Sequence, residues 1–462
     1  MDRISDALVL VLDEGSTLVQ LERSGALARH TGLWKAMGAR HGRLIFVSHD
    51  RGEEATQAVR LAQGLDAECV CDDRGTLAHE HQDRAAATVA QLLEGSKSVV
   101  VQAVGLMAAP TAVAVSTALQ RAGIQTAFLA EGADLWSRQS ICEFGPTSRA
   151  ALEAAYREQL ACTTAHVVLA GCGPVADDLV WRFNLPAERV RVVPMPVLSD
   201  SCSIHAEQRA KSEILAFGPV NKRSRLHLAV EAVAQLRATD CPDATLTVLL
   251  DGPEAGALRA QAESLGVPME LIASPTAEQA EEVLKRCSLM VYTATSETNP
   301  PAVFEALAVG TPIVLAVDPL CAMEVVHGVS GLRMPPEADA LARAIGGLLM
   351  DGPWRDAMGN AGRERAYREH SSPAVAQAMA AAQVSALELA SRQALPLDAG
   401  LILCSEGLRD LAPAEAAQAW ARAVAEHLSR VEGDRQAHLE AIASALADLP
   451  KPGSSLSRTS AA

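Results

Sequence analysis

Two acidic residues eight positions apart, Glu297 and Glu305 in the segment SETNPPAVFEALAVGTPIV, are the residues of this chain best suited to do chemistry. Each carboxylate can accept two hydrogen bonds from vicinal hydroxyls, and such charge-assisted bonds are stronger than neutral ones. A pair facing one crevice therefore suits a sugar or a ribose. Its surroundings say how it is held: the apolar run SLMVYTA (288–294) reads as a buried strand, TSETN as a polar loop, and the double proline as a helix start, with Asn299 as N-cap and Pro300 as the first helical position. A helix that begins at the carboxyl end of a parallel strand stands where open α/β sheets bind ligands, and its N-terminus favours an anion such as a nucleotide diphosphate. Pro300 and Pro301 have no N–H, so only the amides of residues such as Ala302 and Val303 remain for the anion, which predicts a thinned phosphate cradle. The plainer alternative is an ordinary helix with two solvated acidic caps.

The elements that must position this pair recur along the chain. Short apolar runs alternate with amphipathic helical stretches, the pattern of βα units and parallel sheets. Strands are expected at 7–12, 43–48, 98–104, 125–131, 166–171 and 189–194, and again at 213–218, 244–250, 269–274, 288–294 and 311–317. Between the two series, MPVLSDSCSIHAEQ (195–208) has the Pro, Ser and polar content of a linker. The expected organisation is an α/β chain of two Rossmann-like domains facing across a crevice, residues 1–197 and 198–375. An Ala-rich helical extension over 376–450 and a disordered tail over 451–462 follow.

At this level the chain resembles the retaining glycosyltransferases of the GT-B fold, in particular the large family 4 group (glycosyl transferases group 1). That family carries E-x7-E followed by EAMAxGxPVV, a later acidic residue with paired valines, and a G-L-x-x-P segment. Here the order is E297-TNPPAVF-E305-ALAVGTPIV, then Glu324-Val325-Val326, then Gly331 to Pro335. LTVLLDGPEAGALRAQAESLG, with Asp251, Gly252 and Pro253, is similar to the family's strand, turn and helix upstream. The likeness runs over roughly residues 7–375 and is fainter in the first half. It implies that Glu305 binds ribose hydroxyls, Glu297 the donor sugar in a catalytic role, and the backbone near Ala273 and Ser274 the base. It also implies a nucleoside-diphosphate-sugar donor, a hydroxyl acceptor such as a growing surface glycan or lipid-linked saccharide, retention of configuration, and no cofactor or metal.

Two stretches depart from the family pattern. After the Gly of the second domain's first strand the family places Arg, and Lys five residues later, to neutralise the diphosphate. This chain has Pro219 and Ser224 there, within FGPVNKRSR. Gly218 remains, and Lys222, Arg223 and Arg225 surround the gap; Arg225 or Lys222 is the expected replacement, and an exposed loop charge run is the plainer reading. Where many family members carry a first-domain His, this chain reads FLAEGADLW, so Glu131 either contacts the acceptor or marks a changed site. Gly15 and Gly25 near the first strand are more simply turn residues than points of close ligand approach.

Composition removes several function classes. A formal charge of -16 leaves no basic face for nucleic acid and weakens attraction to an anionic membrane, although a local patch leaves peripheral docking open. Ten cysteines without zinc or disulfide spacing read as reduced, mostly buried thiols, and MDRISDALVLVLDEG lacks the apolar core of a signal peptide. A cytoplasmic protein is expected, with the inner membrane face as its peripheral site. Two rivals stand beside the enzyme: a non-catalytic GT-B protein that binds a sugar nucleotide or meets a protein partner through the C-terminal helices, and, less favoured, an epimerase or phosphorylase of the same fold.

Overall fold

The computed structural model describes residues 3–72, 78–132, 135–145, 147–197, 209–295, 300–317 and 325–392. Glu297, Asn299 and Glu324, residues 198–208 of the linker, residues 393–450 of the expected extension and the 451–462 tail lie outside them.

The first sheet contains β1 (Ala7–Leu12), β2 (Leu44–Arg51), β3 (Glu68–Asp72), β4 (Ser98–Val104), β5 (Gln125–Glu131), β6 (Val167–Ala170) and β7 (Val190–Val192). All its pairings are parallel, in the order β3-β2-β1-β4-β5-β6-β7. The second comprises β8 (Glu213–Phe217), β9 (Thr245–Leu249), β10 (Met269–Ile272), β11 (Leu289–Tyr292), β12 (Ile313–Ala316) and β13 (Gly331–Met334), ordered β10-β9-β8-β11-β12-β13 and again parallel. Parallel strands are covered on both faces, which is why ALVLVL is buried at every position. Alternation divides it: Ala7, Val9 and Val11 enter one core, and Leu8, Leu10 and Leu12 the other. Aromatic residues are few, so Ala, Val and Leu fill both. Each sheet reverses its order once, between β1 and β4 and between β8 and β11, and at these reversals a crevice opens beyond the strand ends.

Two connections join the domains side by side. His370 Nδ1 lies 2.9 Å from the Met195 carbonyl, and the Val197 amide donates to the His370 carbonyl at 3.0 Å. The helix Ser372–Arg392, whose residues the sequence reading assigned mainly to an extension beyond the second domain, instead returns to the first. Val375, Ala376, Met379, Ala382 and Ala386 complete the core that contains Trp34, Met37, Leu8 and Leu10. The second-domain residues 209–371 are thus bracketed by first-domain segments. No described helix is long and apolar enough to cross a membrane. Of the described cysteines, Cys162, Cys172 and Cys287 are buried and the other four are not, fewer buried than composition suggested.

Candidate functional site

A cleft of about 320 Å³ opens at the second sheet's reversal point. Phe217 ends β8 in it and Gly218 and Pro219 follow, Tyr292 ends β11 in it, and Pro301, Ala302 and Glu305 form a helical wall; Ser24, Gly25, Ala26 and Arg29 of the first domain close the opposite side. The volume sits at the low end of small-ligand sites.

The helical wall is Pro301–Ala308, with Pro300 as N-cap. The expected Asn299 cap and Pro300 start are therefore displaced by one residue. Pro300 has an extended ψ of 112°, as a residue before proline must, because the following ring disfavours the helical region. The Val303 amide donates to the Pro300 carbonyl at 3.1 Å. The first turn thus offers an anion the Ala302 amide at most, one fewer than expected.

Glu305 lies on the inward face of this helix and is buried, with 7% of its surface exposed. Its Oε1 accepts from Arg29 Nε at 3.0 Å across the cleft, and both side chains are almost fully covered, so this is an ion pair between the domains and not a solvated surface contact. Arg29 belongs to the helix Ala26–Gly38, which Gly25 starts with a φ of +73°, a left-handed geometry that favours glycine. Gly25 therefore serves as a turn and also lines the cleft. The role of Arg29 was missed: nothing in a sequence links positions 276 residues apart. The parallel topology, which aims both domains' strand ends at one crevice, is the only signal that could have raised it.

The basic residues of the 218–225 loop do not line this cleft. The loop is tied down on its far side, where the Val220 amide donates to the Asp251 carbonyl (3.2 Å) and Glu254 to the Val220 carbonyl (3.0 Å). Gly252 makes that packing possible, because a Cβ there would stand 2.3 Å from the Val220 oxygen. Ser224, buried, donates to Asn221 Oδ1 from both its amide and its hydroxyl. Arg225 turns inward to the carbonyls of Thr293 (2.7 Å) and Ala294 (3.4 Å), while the Arg223 carbonyl accepts from the Thr295 amide. Lys222 is exposed. The two favoured replacement cations thus stand off the cleft, one bracing the exit of β11 and the other in solvent. Ala273 and Ser274 are exposed beside it and do not line it; the adjoining Pro275 and Thr276 do.

Glu131 ends β5 and is not part of the cleft wall. It terminates a buried polar chain: Ser5 Oγ meets His41 Nδ1 (2.7 Å), His41 Nε2 meets Gln383 Oε1 (3.1 Å), Gln383 Nε2 donates to Gln102 Oε1 (3.1 Å), and Gln102 Nε2 donates to Glu131 Oε1. Ser5 Oγ also donates to the Ala7 carbonyl at 2.8 Å, which anchors the far end of the chain on β1. Burial pushes the Glu131 carboxyl up to about 7, against the lowering effect of Gln102, and burial holds His41 down at about 4. Among the described residues, no group of three His, Cys, Asp or Glu side chains could hold a metal ion.

Residues 203–365 match the family model of glycosyl transferases group 1. No curated protein matches the chain. Solved structures match its fold. Anabaena HepE in complex with UDP aligns with a TM-score of 0.62 at 17% identity, covering 81% of this chain and 98% of that one. The apo lipopolysaccharide outer core galactosyltransferase WaaB aligns at 0.59 and 13% over 81% and 98%, and sucrose-phosphate synthase of Thermosynechococcus elongatus at 0.57 and 15% over 81% and 97%. The two parallel-sheet domains are those of the GT-B fold.

Proposed function

We propose that this chain is a retaining glycosyltransferase that moves a sugar from a nucleoside-diphosphate donor to a hydroxyl of a saccharide or lipid-linked acceptor, in surface glycan synthesis. The observation that carries this reading is Glu305, a buried carboxylate in the wall of a cleft at the sheet's reversal point, inside the segment that matches glycosyl transferases group 1. The occupants of the HepE structures, UDP, UDP with glucose, and UDP-glucose, support a donor of this class.

In the proposed reaction Glu305 takes the ribose hydroxyls and Glu297 those of the donor sugar. The bond from the anomeric carbon to the diphosphate oxygen breaks, a bond to the acceptor oxygen forms on the same face, and the acceptor proton passes to the departing phosphate. No protein base and no metal enter this scheme. Glu131, neutral or charged near neutral pH, is assigned to the acceptor side. We place the protein in the cytoplasm, at the inner face of the membrane when its acceptor is lipid-linked.

The placement of Lys222 and Arg225 away from the cleft favours a second reading, a non-catalytic protein that binds a sugar nucleotide. Incubation with UDP-, GDP- and ADP-sugars, scored for transfer and for hydrolysis, separates the two. The enzyme reading expects turnover of one donor and its loss in Glu297→Ala. Binding without turnover, or turnover indifferent to Glu297→Ala, would sink it.

A further inference from the structure

Resting on the nucleotide-sugar reading, we propose that Arg29 is the cation that receives the donor's diphosphate, held by Glu305 while the cleft is empty and released to the phosphates when ribose hydroxyls take its place.

The argument starts from charge. A departing diphosphate accumulates negative charge, and without a metal it needs a cation or aligned donors in the cleft. Pro300 and Pro301 remove two amides and the Pro300 carbonyl engages a third. Lys222 and Arg225 lie elsewhere, and among the described residues that line the cleft the single basic side chain is Arg29. It arrives from the opposite domain, yet it shares the cleft with Gly218 and Pro219, beside the position the family reserves for its phosphate-binding Arg.

The Arg29–Glu305 pair makes the exchange a balanced one. Separating two buried charges is costly when either is left alone. Ribose hydroxyls compensate Glu305 through charge-assisted bonds, and the diphosphate compensates the freed guanidinium, whose planar fork suits phosphate oxygens. A nucleoside without phosphates satisfies only Glu305 and leaves Arg29 stranded. The cleft should therefore discriminate strongly for the diphosphate, and Arg29 should be the reason. A latch that merely ties the domains together would carry no such preference.

The test is a calorimetric titration of the full-length protein with UDP and uridine, GDP and guanosine, and ADP and adenosine, repeated on Arg29→Ala, Arg29→Gln and Arg29→Lys. Arg29→Gln keeps a hydrogen-bond donor for Glu305 and guards against misfolding, which thermal melting monitors. The expected result is that the neutral variants lose about 10- to 100-fold in affinity for the preferred diphosphate, bind its nucleoside at least as tightly as the wild type because no guanidinium is left stranded, and that Arg29→Lys recovers part of the loss. A folded neutral variant with the wild-type preference for diphosphate over nucleoside overturns the proposal and leaves the nucleotide-sugar reading standing. If none of the three diphosphates binds the wild-type protein, both fall.

Discussion

Glu305 and Glu131 show how one residue type takes two characters from its surroundings. Glu305 is buried against a guanidinium, so its charge is compensated; Glu131, half-buried, has its carboxyl desolvated against an amide, which compensates it less, and the carboxyl rises from an ordinary 4.5 to about 7. The raised value has a consequence for stability. A carboxyl that holds its proton more tightly when folded contributes stability below about pH 4.5, which is lost as the pH rises toward 7. Glu131→Gln keeps the neutral shape, so its melting temperature relative to the parent should be higher at pH 8 than at pH 5. A difference that does not change between those pH values would contradict the buried-carboxyl description. The place of Glu305 in the cleft wall was legible because its acidic spacing sat inside a strand, loop and helix frame, whereas Glu297 lies outside the described residues. Arg29 was not, because an ion pair between domains leaves no local pattern, and the diversion of Arg225 follows from two carbonyls that a sequence does not locate.

At the scale of the element, the helix Pro301–Ala308 is bounded at both ends by chemistry written in its sequence. The segment AVGTP ends it: Gly310, at a φ of +71°, donates to the Leu307 carbonyl, and Thr311 to that of Ala306, a Schellman cap followed by Pro312. Gly310 also touches the helix Gly352–His370, where a Cβ on Gly359 would come within 2.2 Å of the Gly310 oxygen. Gly310→Ala should cost about 1–2 kcal/mol from the left-handed geometry. Gly359→Ala should cost at least as much, because backbone rather than a flexible side chain stands in the way. Chemical denaturation of both variants checks this, and neutral substitutions would show that the two helices do not meet so closely. The eleven strands expected from apolar runs all form, whereas β3 and β13 were missed. Both are edge strands; ECVCD and GLRM are short and carry charged residues, so apolar periodicity cannot register them.

For the whole molecule, the decisive element is the helix Ser372–Arg392, which closes the first domain's core after the chain has built the second. Its helicity was readable in MAAAQVSALELASRQ, but its destination was not, since Ala-rich helices fit many apolar grooves. A chain ended at Ser371 should expose Trp34, Met37 and their neighbours, bind a hydrophobic dye, and lose the first domain's cooperative melting. An unchanged first-domain transition would mean that the helix is dispensable. The net charge of -16 is consistent with a partner recognised within a cleft and not across a broad basic face.

That cleft is the centre of the functional reading, and nucleoside diphosphates probe it most directly. In a thermal-shift titration with UDP, GDP and ADP, one of them should raise the melting temperature of the wild-type protein by mass action. Glu305→Gln should reduce that shift strongly, since the buried carboxylate is the proposed seat of the ribose. No shift with any of the three, or an equal shift in Glu305→Gln, would contradict a sugar-nucleotide site in this cleft.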